Sequence, residues 1–312
     1  MMAKYGYGID IGGTAVKMGL FTEAGELLEK WDIRTDVSES GIHIIPSIAK
    51  SVSDNIERHT LDRKNILGIG MGVPGCVLEG GFCTCVNLGW NNYPAPGTLR
   101  SLTGLEVRCA NDANCAALGE AWLGSGKGHK DVVMITLGTG VGGGIILNGK
   151  IHTGIHGAAG ELGHIPVNPR ETRLCNCGNR GCLEMYTSAN GNVRLAMDYL
   201  QEVDTPSPLR TAERINSKLC WDLAIAGDPV AVEIARRFSD YLGMGLAMIA
   251  NIIDPEAIII GGGVSRTGEP LRAMVESYFR KYAFHAVRNI DISIAQLGND
   301  AGIYGCVKML LD

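Results

Sequence analysis

Two stretches of this chain begin alike, and that likeness restricts the fold more than any other feature. Tyr7–Ile11 reads as a strand, Gly12-Gly13-Thr14 as a tight turn, Val16–Thr22 as a second strand, and Leu27–Ile33 as a third beyond the Glu23–Gly25 turn. The same order returns later. Asp131–Leu137 is a strand, Gly138 to Gly142 a glycine turn, Gly144–Leu147 a strand, and Asn148-Gly149 a hairpin turn leading to Ile151. Two β-meanders, each with a glycine turn after its first strand, predict an internal duplication whose halves face each other across a nucleotide. The turns are then candidate phosphate clamps. A dinucleotide-binding fold would need the glycine turn to open a helix in a βαβ unit, whereas here a further strand follows.

Between the meanders, Gly41–His59 has helical spacing, Ile66–Val73 is an apolar strand, and Asp112–Trp122 is alanine-rich and helix-like. Asp228-Pro229 supplies a cap and first-turn proline for a helix running to about Ile253. Ala257–Ile260 is a buried strand entering Gly261-Gly262-Gly263-Val264-Ser265, Ile290–Ala295 the last strand, and Ala301–Leu311 the last helix. No low-complexity linker separates these elements.

At 312 residues the chain exceeds what one hydrophobic core comfortably organises, which predicts an α/β protein of two domains with a cleft. The expected division is 1–112 plus 298–312 for a smaller N-terminal domain, and 113–297 for a larger one. A net charge of −5 without a dense basic stretch argues against nucleic-acid and membrane-surface partners. The first residues hold no apolar run of signal-peptide length, and no segment of about 20 apolar residues occurs, so a cytoplasmic location is expected.

Asp10-Ile11-Gly12-Gly13-Thr14 puts a carboxylate at a strand end, two glycines where backbone must come close, and a hydroxyl near the same point, with Lys17 just beyond. Such a turn offers N–H groups to phosphate oxygens while Asp10 holds Mg²⁺ directly or through water. An ordinary hairpin with a surface aspartate is the plainer alternative. In Leu137–Gly144, Gly138, Thr139, Gly140 and Gly142 form a stronger phosphate candidate, because so many glycines in a strand pair weaken it unless a ligand approaches. Gly261, Gly262 and Gly263 make a candidate adenosine-side loop. Asp112, in Asn111-Asp112-Ala113-Asn114, is either a helix cap or the carboxylate that accepts a hydroxyl proton during phosphoryl transfer.

The sharpest signal is His164, in Glu161-Leu162-Gly163-His164, followed by Cys175, Cys177 and Cys182 in a glycine-containing loop that ends at Glu184. One histidine and three cysteines form a closed Cys₃His set, which predicts structural zinc rather than a catalytic ion with an open position. Of ten cysteines, the other seven show no such pattern. Cys83-Thr84-Cys85 could form a rival ligand pair, but the i, i+2 spacing favours packing.

With these motifs in place the chain resembles a glucokinase of the ROK family (repressor, open reading frame, kinase), from about Tyr7 to Leu311. Asp10–Thr14, Val86–Trp90, Asn111–Asn114, Leu137–Gly144, Gly160–His164, Cys175–Glu184, Gly261–Ser265 and Leu297–Gly302 are similar to family segments, in family order. The resemblance implies an actin-like, ribonuclease H-like duplicated ATPase fold that closes on a hexose, glucose above others, with ATP and Mg²⁺ as cofactors. It implies that Asp112 is the general base for the sugar 6-hydroxyl. It further implies that Asn111, Glu161, His164 and Glu184 contact sugar hydroxyls, with Gly75 and Asn87 lining the pocket. His164 would then bind zinc through one ring nitrogen and sugar through the other. Family members commonly form homodimers or homotetramers.

Kinases for fructose, allose, N-acetylmannosamine or N-acetylglucosamine are the nearest alternatives. A sugar-responsive repressor is a more distant one, since Asp10 lies too near Met1 for a preceding DNA-binding module. A zinc ribbon for protein or nucleic-acid binding would show two separated Cys-x-x-Cys knuckles and leave the glycine turns unexplained.

Overall fold

The computed structural model describes residues 4–78 and 80–311. The chain runs through β1 (Tyr5–Ile11), β2 (Ala15–Thr22), β3 (Leu27–Arg34), α1 (Ile44–Arg58), β4 (Ile66–Val73), β5 (Cys76–Val77), β6 (Cys83–Cys85), β7 (Trp90–Tyr93), α2 (Ala95–Thr103), β8 (Val107–Asn111) and α3 (Asp112–Leu123). It continues through β9 (Val132–Leu137), β10 (Val141–Leu147), β11 (Lys150–Ile151), α4 (Glu184–Thr187), α5 (Ala189–Glu202), α6 (Ser217–Ile225) and α7 (Pro229–Ile253). Last come β12 (Ala257–Gly261), α8 (Glu269–Tyr282), β13 (Asp291–Ile294) and α9 (Ala301–Lys308).

Two five-stranded sheets carry the duplication. The first has the order β3-β2-β1-β4-β8, the second β11-β10-β9-β12-β13. In the first, β1, β2 and β3 form an antiparallel meander while β4 and β8 add in parallel. In the second, β10 and β11 are antiparallel, and β9, β12 and β13 run parallel. The parallel strands are apolar runs because both faces are covered: every residue of β12 is buried.

Two compact units result. The first comprises the described residues up to Lys130, with Gly144–Ala159 and those from Leu297 onward; the second comprises Asp131–Gly143 and Gly160–Gln296. The expected boundary at 112 falls short of Lys130, whereas the one expected at 297 lies within a residue of the observed division. Helix α3 belongs with the first unit because it interlocks with α9, where a Cβ on Gly305 would overlap the Cys115 carbonyl oxygen, and residues 144–159 follow it because Gly144 packs directly on Ala117 of α3. Close approach recurs where α9 meets the sheet, since a Cβ on Gly70 would overlap the Cys306 carbonyl. On the sheet's other elements, α1 buries Ile44, Ile45, Ile48, Val52 and Ile56, the stripe its helical spacing predicts. Each such side chain contributes about 1.5–3 kcal/mol of burial.

In the second unit, Asp228 caps α7 by accepting the Ala231 N–H at 2.8 Å, Pro229 opens it, and Asp254 ends it with φ +52. The expected last helix stops at Lys308 and continues as a 3₁₀ turn over Met309–Leu311. The small sheet β5-β6-β7, α2 and α8 were not legible in the sequence. Strands of two to four residues have too few positions to display a period.

Candidate functional site

In the first unit, Asp10 is the next-to-last residue of β1 and α3 begins at Asp112. Burial raises the Asp10 carboxyl to about 6, the nearby Asp112 charge adds to the rise, and Lys17 opposes it. The turn after β1 is held from within: the Gly12 N–H donates to the Ala15 carbonyl at 3.0 Å, and the Thr35 hydroxyl donates to the Gly12 carbonyl at 2.7 Å. Gly13 and Thr14 form its exposed apex. Lys17 donates to the Asn299 carbonyl at 2.7 Å, so its ammonium belongs to the turn that enters α9.

The cap of α3 is Asn111, not Asp112. The Asn111 side-chain oxygen accepts from the N–H groups of Ala113 at 2.9 Å and Asn114 at 3.2 Å, and its amide donates to the Gly75 carbonyl at 3.2 Å. Asp112 stands in the first helical turn, where the helix dipole favours a negative charge. Asp112 is thus not the N-cap residue, although its Oδ1 also accepts the Ala113 N–H at 2.8 Å. Gly75 is required by packing, as a Cβ there would overlap the Thr84 carbonyl. Asn87 is exposed in the 3₁₀ turn Val86–Leu88.

In the second unit, the turn expected over Gly138 to Gly142 is shorter. It spans 138–140, and β10 already begins at Val141. Gly142 is thus a strand residue, and Gly143 is explained by packing against Leu162 rather than by a ligand. The turn is tied on one side to α5, through the Ala189 N–H on the Gly138 carbonyl at 2.8 Å and the Asn190 amide on the Thr139 carbonyl at 3.1 Å. On the other, Glu184 accepts the Val141 N–H at 2.9 Å. Gly138, Thr139 and Gly263 share the wall of a cavity of about 710 Å³, with Ser217, Ile225 and Val264. The two glycine segments, more than a hundred residues apart in sequence, are brought to one concavity. Gly261 is buried beneath it against Met134, and Gly262 makes the turn at φ +84. The α6 residues of this wall escaped the sequence reading because an amphipathic helix gives no sign of which cavity it lines.

Among the described residues, one group of metal-ligating side chains converges: His164, Cys175, Cys177 and Cys182, whose ligand atoms all lie within 4.8 Å of one another. The sulfurs of Cys177 and Cys182 are 3.6 Å apart, near the roughly 3.8 Å that two thiolates take on a tetrahedral zinc. His164 presents Nδ1 to the Cys175 sulfur at 3.8 Å and Nε2 towards Glu161, 3.9 Å from its carboxylate. The Asn179 backbone N–H pulls the Cys177 thiol below its ordinary range, while burial pushes Cys182 up to about 12. A bound cation would deprotonate both. The donor set and its spacing fit zinc.

The loop that carries these cysteines is braced from outside. The Tyr186 hydroxyl donates to Glu171 at 2.8 Å, and Arg173 pairs with both Glu171 and Asp198. The Arg173 guanidinium holds the Glu171 carboxyl down at about 2. No helix among the described residues is long and apolar enough to cross a membrane.

Known proteins agree with this arrangement along almost the whole chain. It is 40% identical to a glucokinase of Halalkalibacterium halodurans over 98% of this chain and 94% of that one. It is 36% identical to a glucokinase of Thermotoga maritima over 97% and 96%. A crystal structure of a ROK family glucokinase from Streptomyces griseus, in complex with glucose and AMPPNP, matches with a TM-score of 0.76 and 35% identity over 98% of each chain. The fold is accordingly the duplicated, actin-like ATPase fold of the ROK sugar kinases. With the family's sequence model matching residues 6–312, this chain belongs to the ROK family.

Proposed function

We propose that this protein transfers the γ-phosphoryl group of ATP to the 6-hydroxyl of glucose. The observation that carries the proposal is the near full-length similarity, at 36–40% identity, to proteins named glucokinase. The geometry of each unit supports it. In the first, Asn111 is the N-cap of α3, and Asp112 in the first helical turn serves as general base, accepting the proton of the 6-hydroxyl as its oxygen attacks the γ-phosphorus in line. Asp10, with the exposed Gly13-Thr14 apex, lies on the phosphate side. Mg²⁺ beside Asp10 would neutralise charge on the transferring group. Gly75 shapes the sugar side through its contact with Asn111, and Asn87 lines it.

In the second unit, Gly138, Thr139 and Gly140 bind phosphate oxygens, and the cavity they share with Gly263 accepts the adenosine. Glu161, the Nε2 of His164, and Glu184 hold sugar hydroxyls. Zinc on His164, Cys175, Cys177 and Cys182 would act as a scaffold, since four protein ligands leave no open position. With Nδ1 on the cysteine side, the imidazole is oriented so that Nε2 and Glu161 share one face.

The test is ADP release with ATP and Mg²⁺ over a panel of hexoses that includes fructose, allose, mannose, N-acetylmannosamine and N-acetylglucosamine. Glucose should give the highest kcat/KM. A clear preference for another sugar would leave the kinase and reassign the substrate.

A further inference from the structure

Glu120 is fully buried near the end of α3, eight residues after Asp112. Its carboxylate accepts the Leu297 N–H at 2.7 Å through one oxygen, and the Ser125 N–H at 3.0 Å and hydroxyl at 3.3 Å through the other. Leu297 opens the 3₁₀ turn Gly298–Asp300 that leads into α9. That turn supplies the Asn299 carbonyl to Lys17 at 2.7 Å and the Asp300 carboxylate to Lys30 at 2.8 Å. Immediately beyond, Gly302 lies so close to Asp10 that a Cβ on it would sit 2.9 Å from the Asp10 carboxylate.

These contacts form one chain of support. We propose that Glu120 is a positioning residue for the nucleotide side of the reaction: it anchors the 297–300 turn, which sets the Lys17 ammonium and the first turn of α9 against Asp10. A helix is stiff along its axis, so α3 carries Asp112 at one end and this anchor about 12 Å further on. It thereby fixes the spacing between the proposed base and the backbone that supports Asp10. A buried carboxylate held by several N–H and O–H donors suits the task, because charge-assisted bonds are short and directional. A merely structural carboxylate would influence stability without favouring one substrate.

The inference rests on the proposed kinase reaction, but its test does not need turnover. Binding of ADP with Mg²⁺ by calorimetry, and KM for ATP and for glucose, are measured for wild type, Glu120→Gln and Ser125→Ala. Glu120→Gln should weaken Mg·ADP binding and raise the ATP KM about 10- to 100-fold, as outer-shell losses do. Its glucose KM should move less than about twofold. Ser125→Ala, which keeps the Leu297 bond, should stay within about twofold on all three. Should Glu120→Gln not fold, Leu297→Pro deletes the donor N–H instead; Leu297 has φ −76, within the proline range, and the same selective loss is expected. A lowered Tm with unchanged Mg·ADP affinity, or an equal loss for nucleotide and sugar, overturns the assignment. Wild-type protein that binds Mg·ADP but phosphorylates no hexose would overturn the kinase reading, and the binding comparison would then decide the role of Glu120 by itself.

Discussion

Glu184 accepts the backbone N–H of Val141 at 2.9 Å and lies 4.0 Å from the sulfur of Cys175, so one carboxylate joins the strand that leaves the glycine turn to the cysteine loop. The proposed phosphate turn and the proposed zinc site are therefore mechanically continuous in the second unit. A disturbance of either should be felt at the other through Glu184.

Gly140 tests that continuity. A Cβ at this position would overlap the Glu184 Oε2, whereas one at Gly138 would meet nothing nearer than the Gly140 carbonyl at 3.9 Å. Gly140→Ala should lower stability by about 1–3 kcal/mol, the range for overpacking, while Gly138→Ala should cost far less stability. Thermal unfolding of the pair would show this; an equal loss of Tm would contradict the contact of Gly140 with Glu184.

Asp112→Asn separates the proposed base from the cap. Because Asn111 holds the start of α3 and an amide oxygen can still accept the Ala113 N–H, the variant should fold with little change in Tm, keep its metal and bind sugar, yet lose about 10²- to 10⁴-fold in kcat. A kcat within about tenfold of wild type would exclude Asp112 as the base.

Asp10 gives a pH signature with a definite sign. Its folded carboxyl titrates at about 6 against an ordinary 3.8, because burial and Asp112 disfavour the charge. Its contribution to stability is fully present below the ordinary value and is lost as pH rises through about 6, on the order of 3 kcal/mol. Asp10→Asn should therefore raise Tm at pH 8 relative to wild type while abolishing Mg²⁺-dependent ATP binding. Wild-type kcat/KM for Mg·ATP should fall as pH drops below about 6, as the free carboxylate is lost. A Tm at pH 8 that Asp10→Asn leaves unchanged or lowers would contradict the burial argument.

Metal removal should act on sugar before nucleotide. Protein prepared without chelators should hold about one zinc per chain, and Cys182→Ser should lose it. The glucose KM should then rise about 10- to 100-fold, because His164 and Glu161 lose their orientation, while Mg·ADP binding changes little. Metal analysis with parallel titrations checks both. Zinc far below one per chain in wild type would refute the site.

Several features were legible from residue order because they depend on neighbours in the chain. The meanders follow from alternating apolar residues and turn glycines, the start of α7 from Asp228-Pro229, and the metal group from the spacing of Cys175, Cys177 and Cys182. The alternation of strand and turn also revealed the duplication, which the two sheets repeat strand for strand. Family motifs carried the expected fold.

Other questions depend on what lies across the fold. The glycines of Leu137–Gly144 look alike in sequence, yet only 138–140 make the turn, and Gly143 packs under Leu162. Asn111 and Asp112 are both good caps by residue type; the β-region backbone at Asn111, with ψ 147, gives it the role. Glu120 reads as an ordinary helical glutamate until Leu297, 177 residues away, donates its N–H. Local chemistry sets what each residue is able to do. Which partner satisfies its hydrogen bonds, and hence whether it serves the scaffold or stays available to substrate, is decided by burial among segments that meet only in the folded chain.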